Sequence, residues 1–126
     1  MAAAAALGAG ALAQRANTAI AGRPPVCAFS KHLHFIKDYT QLAKAAKSLG
    51  LDGLDLTVRK GGHVEPARGA VNLPKCVEAA RAEGSDVYMI TTDLNKGDDP
   101  DAVPILDAAS KLKIKYARVG KQQYSK

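Results

Sequence analysis

The sequence predicts an α/β domain of order βαβαβαβ with parallel strands, the N-terminal half of a (β/α)8 TIM barrel. Three observations carry that expectation. Strand-like and helix-like periods alternate beyond Pro25 with little loop between them, as in α/β folds. The second strand-like run is polar on one face only, whereas a central strand of an open doubly wound sheet meets helices on both. No GxGxxG or Walker motif follows the first strand, so the nucleotide-binding open sheets lose their strongest support. A whole barrel takes about 250 residues, and the 126 residues present supply four strands of eight.

Each element has its own signal. Val26 to Ser30 is a short apolar run that reads as the first strand. Asp38 followed by Gln41 has the spacing of a helix cap, and Tyr39, Leu42, Ala43, Ala46 and Leu49 then recur at three- and four-residue steps. Gly50 can take the left-handed conformation that ends a helix. From Asp52 to Val58 the residues alternate, with Leu54, Leu56 and Val58 on one face and Asp55 and Thr57 on the other. A second helix is expected from about Asn72 to Glu83, burying Leu73, Cys76, Val77 and Ala80 and stopping at Gly84. Val87 to Thr92 makes the third strand. Asp98, Asp99 and Asp101 suit the positive end of a helix running to about Leu112, with Asp101 as cap or a kink at Pro104. Their spacing is not that of an EF-hand. Tyr116 to Val119 is the fourth strand.

Composition narrows the function classes. At 47% hydrophobic and 24% charged, the chain has the make-up of one globular domain. The net charge of +6 comes entirely from the six basic residues between Lys111 and Lys126, which face no acidic residue there. Without interleaved aromatics or zinc-finger spacing, that tail reads as a solvated chain end, and nucleic acid is not expected as a partner. Cys27 and Cys76 have neither redox nor zinc spacing and read as small buried hydrophobes. Residues 1–23 form a leader, with the domain proper at 24–126. The alanine-rich run Met1 to Ala13, with Ala11-Leu12-Ala13 as a cleavage-like site, favours export. The missing basic n-region leaves cytoplasmic retention as the alternative. Arg15 and Asn17 interrupt the run too early for a membrane span.

The segments LGLDGLDLTVRKGGHVEP, VNLPKCVEAARAEG and IKYARVG resemble the xylose-isomerase-like sugar phosphate isomerase and epimerase family, over Ala28 to Gly120. The resemblance implies a TIM barrel that interconverts aldose and ketose, or epimers, by moving a proton beside a carbonyl. It also implies a divalent metal (Mn, Mg, Co or Zn) held by carboxylates and a histidine on later strands. This chain supplies no metal ligands of its own on that reading. The partner is then a small sugar or sugar phosphate.

Site candidates belong at the C-terminal ends of the strands. His63, on the Gly61-Gly62 turn and matching the family's GGHV loop, is the catalytic candidate, able to bond a hydroxyl or relay a proton. Arg59 and Arg118 are substrate-binding candidates through the guanidinium fork, with an ion pair to Asp55 as the competing reading. His32, after the first strand, and Thr91, at the end of the third, complete the set. His32 is preferred to His34, and Thr92 shares the reading of Thr91. One further class stays open beside the isomerase-like enzyme fragment, a non-catalytic half-barrel that binds a ligand or partner; the third class, nucleic-acid binding through the basic tail, would show binding that weakens steeply with salt. The open edges of a half-barrel also predict self-association.

Overall fold

The computed structural model describes residues 22–122, in which β1 (Cys27–Phe29), β2 (Gly53–Val58), β3 (Val87–Thr92) and β4 (Tyr116–Arg118) form one parallel sheet in that order. Helices α1 (Tyr39–Ser48), α2 (Gly69–Ala82) and α3 (Ala102–Lys111) connect successive strands, and α2 packs between the other two. Most of the expected leader, and the last four residues of the basic tail, lie outside the described residues.

Alternation along β2 sets the layers. Leu54, Leu56 and Val58 are fully buried, together with Leu42 of α1, Leu73 of α2, Ile90 of β3 and Ile105 of α3. Asp55 and Thr57 turn to the other face, beside Met89 and Thr91 of β3. The β2 and β3 registers slip by one residue between Leu54 and Asp55, leaving Tyr88 as the extra residue of a bulge. Gly53 explains how the bulge is accommodated. A Cβ there would lie 2.3 Å from the Asp86 carbonyl oxygen and 2.7 Å from the Tyr88 ring.

The helices start and stop largely as their caps dictate. The Asp38 carboxylate accepts the Gln41 N–H at 2.8 Å, and Gly50 leaves α1 at a φ of +74°. α2 begins three residues before the expected Asn72, because the 3-10 turn Pro66–Arg68 runs straight into it and Gly69 fits beneath Ile105. A Cβ at Gly69 would come within 2.6 Å of Ile105 Cγ1. Pro74 consequently lies inside the helix rather than in its first turn. Asp101 does sit at the start of α3, but its side chain makes no capping bond. Instead the Asp99 carboxylate accepts the Asp101 N–H at 2.9 Å, and Pro104 falls harmlessly in the first turn.

Three further expectations need correction. β1 and β4 are each three residues long, shorter than the runs Val26 to Ser30 and Tyr116 to Val119. Cys27 is half-buried, because it lies on the sheet face away from the helices, and only Cys76 is fully buried. Burial raises the two thiols to about 11 and about 12, so neither is a thiolate at neutral pH. Finally, Asp55 forms no ion pair with Arg59 or Arg118.

Candidate functional site

Parallel pairing puts everything that follows β1, β2, β3 and β4 along one edge of the sheet. Three groups of side chains gather at or near that edge.

The first is a knot of hydrogen bonds around Thr57. Its backbone N–H donates to Ser30 Oγ at 2.9 Å, and the two hydroxyls meet at 3.1 Å. The His63 N–H donates to Thr57 Oγ1 at 3.0 Å, and His63 Nδ1 lies 3.3 Å from the same oxygen. On the other side of the ring, Nε2 lies 2.9 Å from the Ile36 carbonyl. A carbonyl only accepts, so Nε2 carries the proton and Nδ1 takes the Thr57 hydroxyl proton. Thr57 Oγ1 then donates once and accepts twice, from Ser30 and the His63 N–H, so its capacity is filled. Tyr39 adds a bond from its hydroxyl to the His63 carbonyl at 3.1 Å. Burial, with His34 and Lys37 nearby, lowers the His63 pKa against the opposing bond to Ile36, which keeps the ring neutral. That geometry engages both ring nitrogens of the expected catalytic histidine within the fold. Neither ring nitrogen is open to a substrate while the knot is closed.

The second group lies on the sheet face itself. Thr91 donates to Asp55 Oδ1 at 2.8 Å, and Arg118 is the register neighbour of Thr91 on β4. Burial raises the Asp55 pKa, and the Thr91 bond, Arg118 and Arg59 act in the opposite direction. Thr91 is thus buried and committed to Asp55, whereas Arg118 is exposed on the edge strand. Thr92 spends its hydroxyl on the Arg118 carbonyl at 2.8 Å.

The third group stacks. Arg59 lies over the Phe29 ring at 5.7 Å, and exposed His32 meets the same ring edge-on, also at 5.7 Å. Phe29 therefore ties two of the expected substrate-binding residues together. Beside them opens a cleft of about 300 Å³ lined by Lys31, His34, Thr57, Arg59, Lys60, Gly61 and Gly62. Larger hollows open between α2 and α3 and, farther along the same edge, among the loop after β3, the start of α3 and the residues after β4.

Sequence reasoning passed over Ser30, Lys31 and Lys60 and ranked His34 below His32. Ser30 had no motif to mark it, since its role follows from parallel register, which extends the Phe29 and Asp55 pairing to bring Ser30 beside Thr57. The divalent ion that the resemblance implies does not fit this donor set. His63 has both ring nitrogens engaged, and no three His, Cys, Asp or Glu side chains converge among the described residues. No helix among them is long and apolar enough to cross a membrane. No protein-family model, curated protein or solved structure matches the chain.

Proposed function

We propose that this chain is the sugar-holding first half of a (β/α)8 barrel of the sugar phosphate isomerase and epimerase kind, and that by itself it does not turn substrate over. The observation that supports the reading best is the polar layer on the sheet face away from the helices. There Asp55 and Thr91 are bonded at mid-sheet, with Arg59 and His32 stacked on Phe29 to one side and Arg118 to the other. Side chains of this kind, fixed on strands and open at the C-terminal edge, suit the hydroxyls of a polyol. Asp55 accepts, Arg59 and Arg118 donate, and His32 offers a ring face or edge. His63 holds the loop that closes the rim, as a positioning residue. A metal site would come from strands other than these four.

The alternative reading, a non-catalytic half that binds a partner, draws on a separate observation. Val103 and Leu106 of α3 and Val119 after β4 are exposed and line one open hollow, forming an apolar flank. Self-association through this flank and the open edge strands is compatible with either reading.

Turnover tests the proposal. The purified 126-residue chain is mixed with manganese, magnesium, cobalt or zinc, and aldose–ketose interconversion and epimerisation are followed across a sugar panel. The expected result is no metal-dependent turnover. Turnover abolished both by chelator and by His63→Ala would overturn the division between holding and catalysis.

A further inference from the structure

We infer that the cleft beside the Gly61-Gly62 turn is a binding site for a phosphomonoester dianion. The inference deepens the sugar-holding reading and rests on it for the organic part of the ligand. Three cationic side chains, Lys31, Arg59 and Lys60, line one cleft of about 300 Å³. None of them takes part in an ion pair among the described residues, whose ion pairs are Arg23 with Asp52, Arg81 with Asp86, and Lys111 with Asp107. Positive charge on three residues of one cleft wall, none of it in an ion pair, is what a dianion offsets.

The two nearest carboxylates do not fill the need. Glu65 Oε1 accepts the Gly61 N–H at 2.9 Å, and Asp93 Oδ2 accepts the Lys60 N–H at 3.2 Å. Each is committed to shaping the loop main chain. They account for two negative charges against three positive ones, and the side-chain donors stay available. A fourth donor points the same way. Lys37 Nζ, which can only donate, lies 3.3 Å from His34 Nδ1, so the ring proton of this cleft-lining histidine is on Nε2. That N–H is buried and has no partner. The nitrogen itself has no exposed surface, so a turn of the His34 ring is what brings this donor to an anion in the cleft that the residue lines.

The chemistry selects the class of anion. Arg59, steadied on Phe29 by stacking, offers a planar fork, and the two lysines offer point charges, the combination that suits a tetrahedral phosphoryl group. The cleft exceeds a phosphate in size and shares Thr57 with the polar layer. A phosphate seated there lets the attached polyol lie along the sheet toward Asp55 and Thr91.

The test is a titration of the ¹⁵N-labelled 126-residue chain with inorganic phosphate at constant ionic strength, with sodium chloride as the blank. Saturable shifts of the Lys31, Gly61 and Gly62 amides are expected, at millimolar order for the bare ion, with tighter binding of a hexose phosphate than of phosphate or of the free hexose. Lys31→Gln combined with Arg59→Gln should weaken phosphate by about tenfold or more, while Lys44→Gln on the exposed side of α1 changes nothing. Thermal melts check that the double variant is folded, and Lys60→Gln alone gives a second, milder reading of the same loss. Shifts reproduced by chloride, an unchanged affinity in the folded double variant, or an oligonucleotide outcompeting the hexose phosphate would overturn the site. Phosphate binding without any sugar preference would keep the anion site and remove the sugar reading. Free-sugar binding with no response to phosphate would do the reverse.

Discussion

Thr57 and His63 are bonded to each other twice, through the His63 N–H at 3.0 Å and through the Nδ1 lone pair at 3.3 Å. The pair ties the loop after β2 back onto the strand that launched it, and the Ile36 carbonyl on the far side of the ring ties in the loop after β1. Two connections that form one edge of the sheet are therefore held by one imidazole.

Thr57→Val should be among the costlier polar substitutions in the chain. It leaves the Ser30 hydroxyl, the His63 N–H and Nδ1 without their common partner in a buried setting, for a loss on the order of 3 kcal/mol. Thr57→Ser should retain most of the stability. Urea denaturation of the two variants measures the difference, and a larger loss in Thr57→Ser than in Thr57→Val would show that the methyl rather than the hydroxyl matters.

Acid should open the knot. The folded His63 pKa lies below its ordinary value of 6.5, so the folded state binds fewer protons than the unfolded state as pH falls past that value. Its contribution is fully present above pH 6.5 and is lost as pH falls through the depressed folded value. The stability gap between the native chain and His63→Asn should accordingly shrink on acidification. A gap that widens would reverse the sign and refute the neutral, buried imidazole.

Asp55 carries the opposite sign. Burial raises its folded pKa, so its contribution is present below the unfolded value of 3.8 and disappears as pH rises through the raised folded value. At neutral pH the ionised carboxylate is a cost, and Asp55→Asn, whose amide oxygen can still accept from Thr91, should be more stable there than the native chain. Sugar affinity should fall in the same variant. Denaturant midpoints at neutral and acidic pH check the first claim, and a variant less stable at pH 7 would show that Arg59 and Arg118 outweigh burial.

The open edges should make the chain associate. β1 and β4 each pair on one side only, and Val103 and Tyr116 are 73% and 61% exposed. Sedimentation at micromolar concentration should show a dimer or larger species, and Val103→Lys with Leu106→Glu should move it toward monomer without unfolding it. A well-folded monomer of the unaltered chain would remove this account of the apolar flank.

The layers of the fold were legible because period-two alternation decides which face of a strand is buried, and Leu54, Leu56 and Val58 obey it fully. Strand type and order followed from the same patterning. Helix starts were less legible where tertiary packing overrode local signals. Gly69 opens α2 because Ile105 sits against it, and no neighbouring residue in the sequence announces that contact. For the site, positions at strand ends could be named, but partners could not. The Asp55 carboxylate chose the Thr91 hydroxyl over an arginine, and the His63 ring was absorbed by Thr57 and Ile36, contacts fixed by register and loop path.

The most direct test of the sugar-holding claim is an amide-shift titration of the 126-residue chain with unphosphorylated pentoses and hexoses in a metal-free buffer. The account predicts that at least one sugar shifts Phe29, Asp55, Thr91 and Arg118 saturably, and that Asp55→Asn together with Arg118→Ala abolishes those shifts in a chain that stays folded. If no sugar in the panel moves these four residues, or if the shifts survive the double substitution, the polar face of the sheet does not hold a sugar and the central claim is wrong.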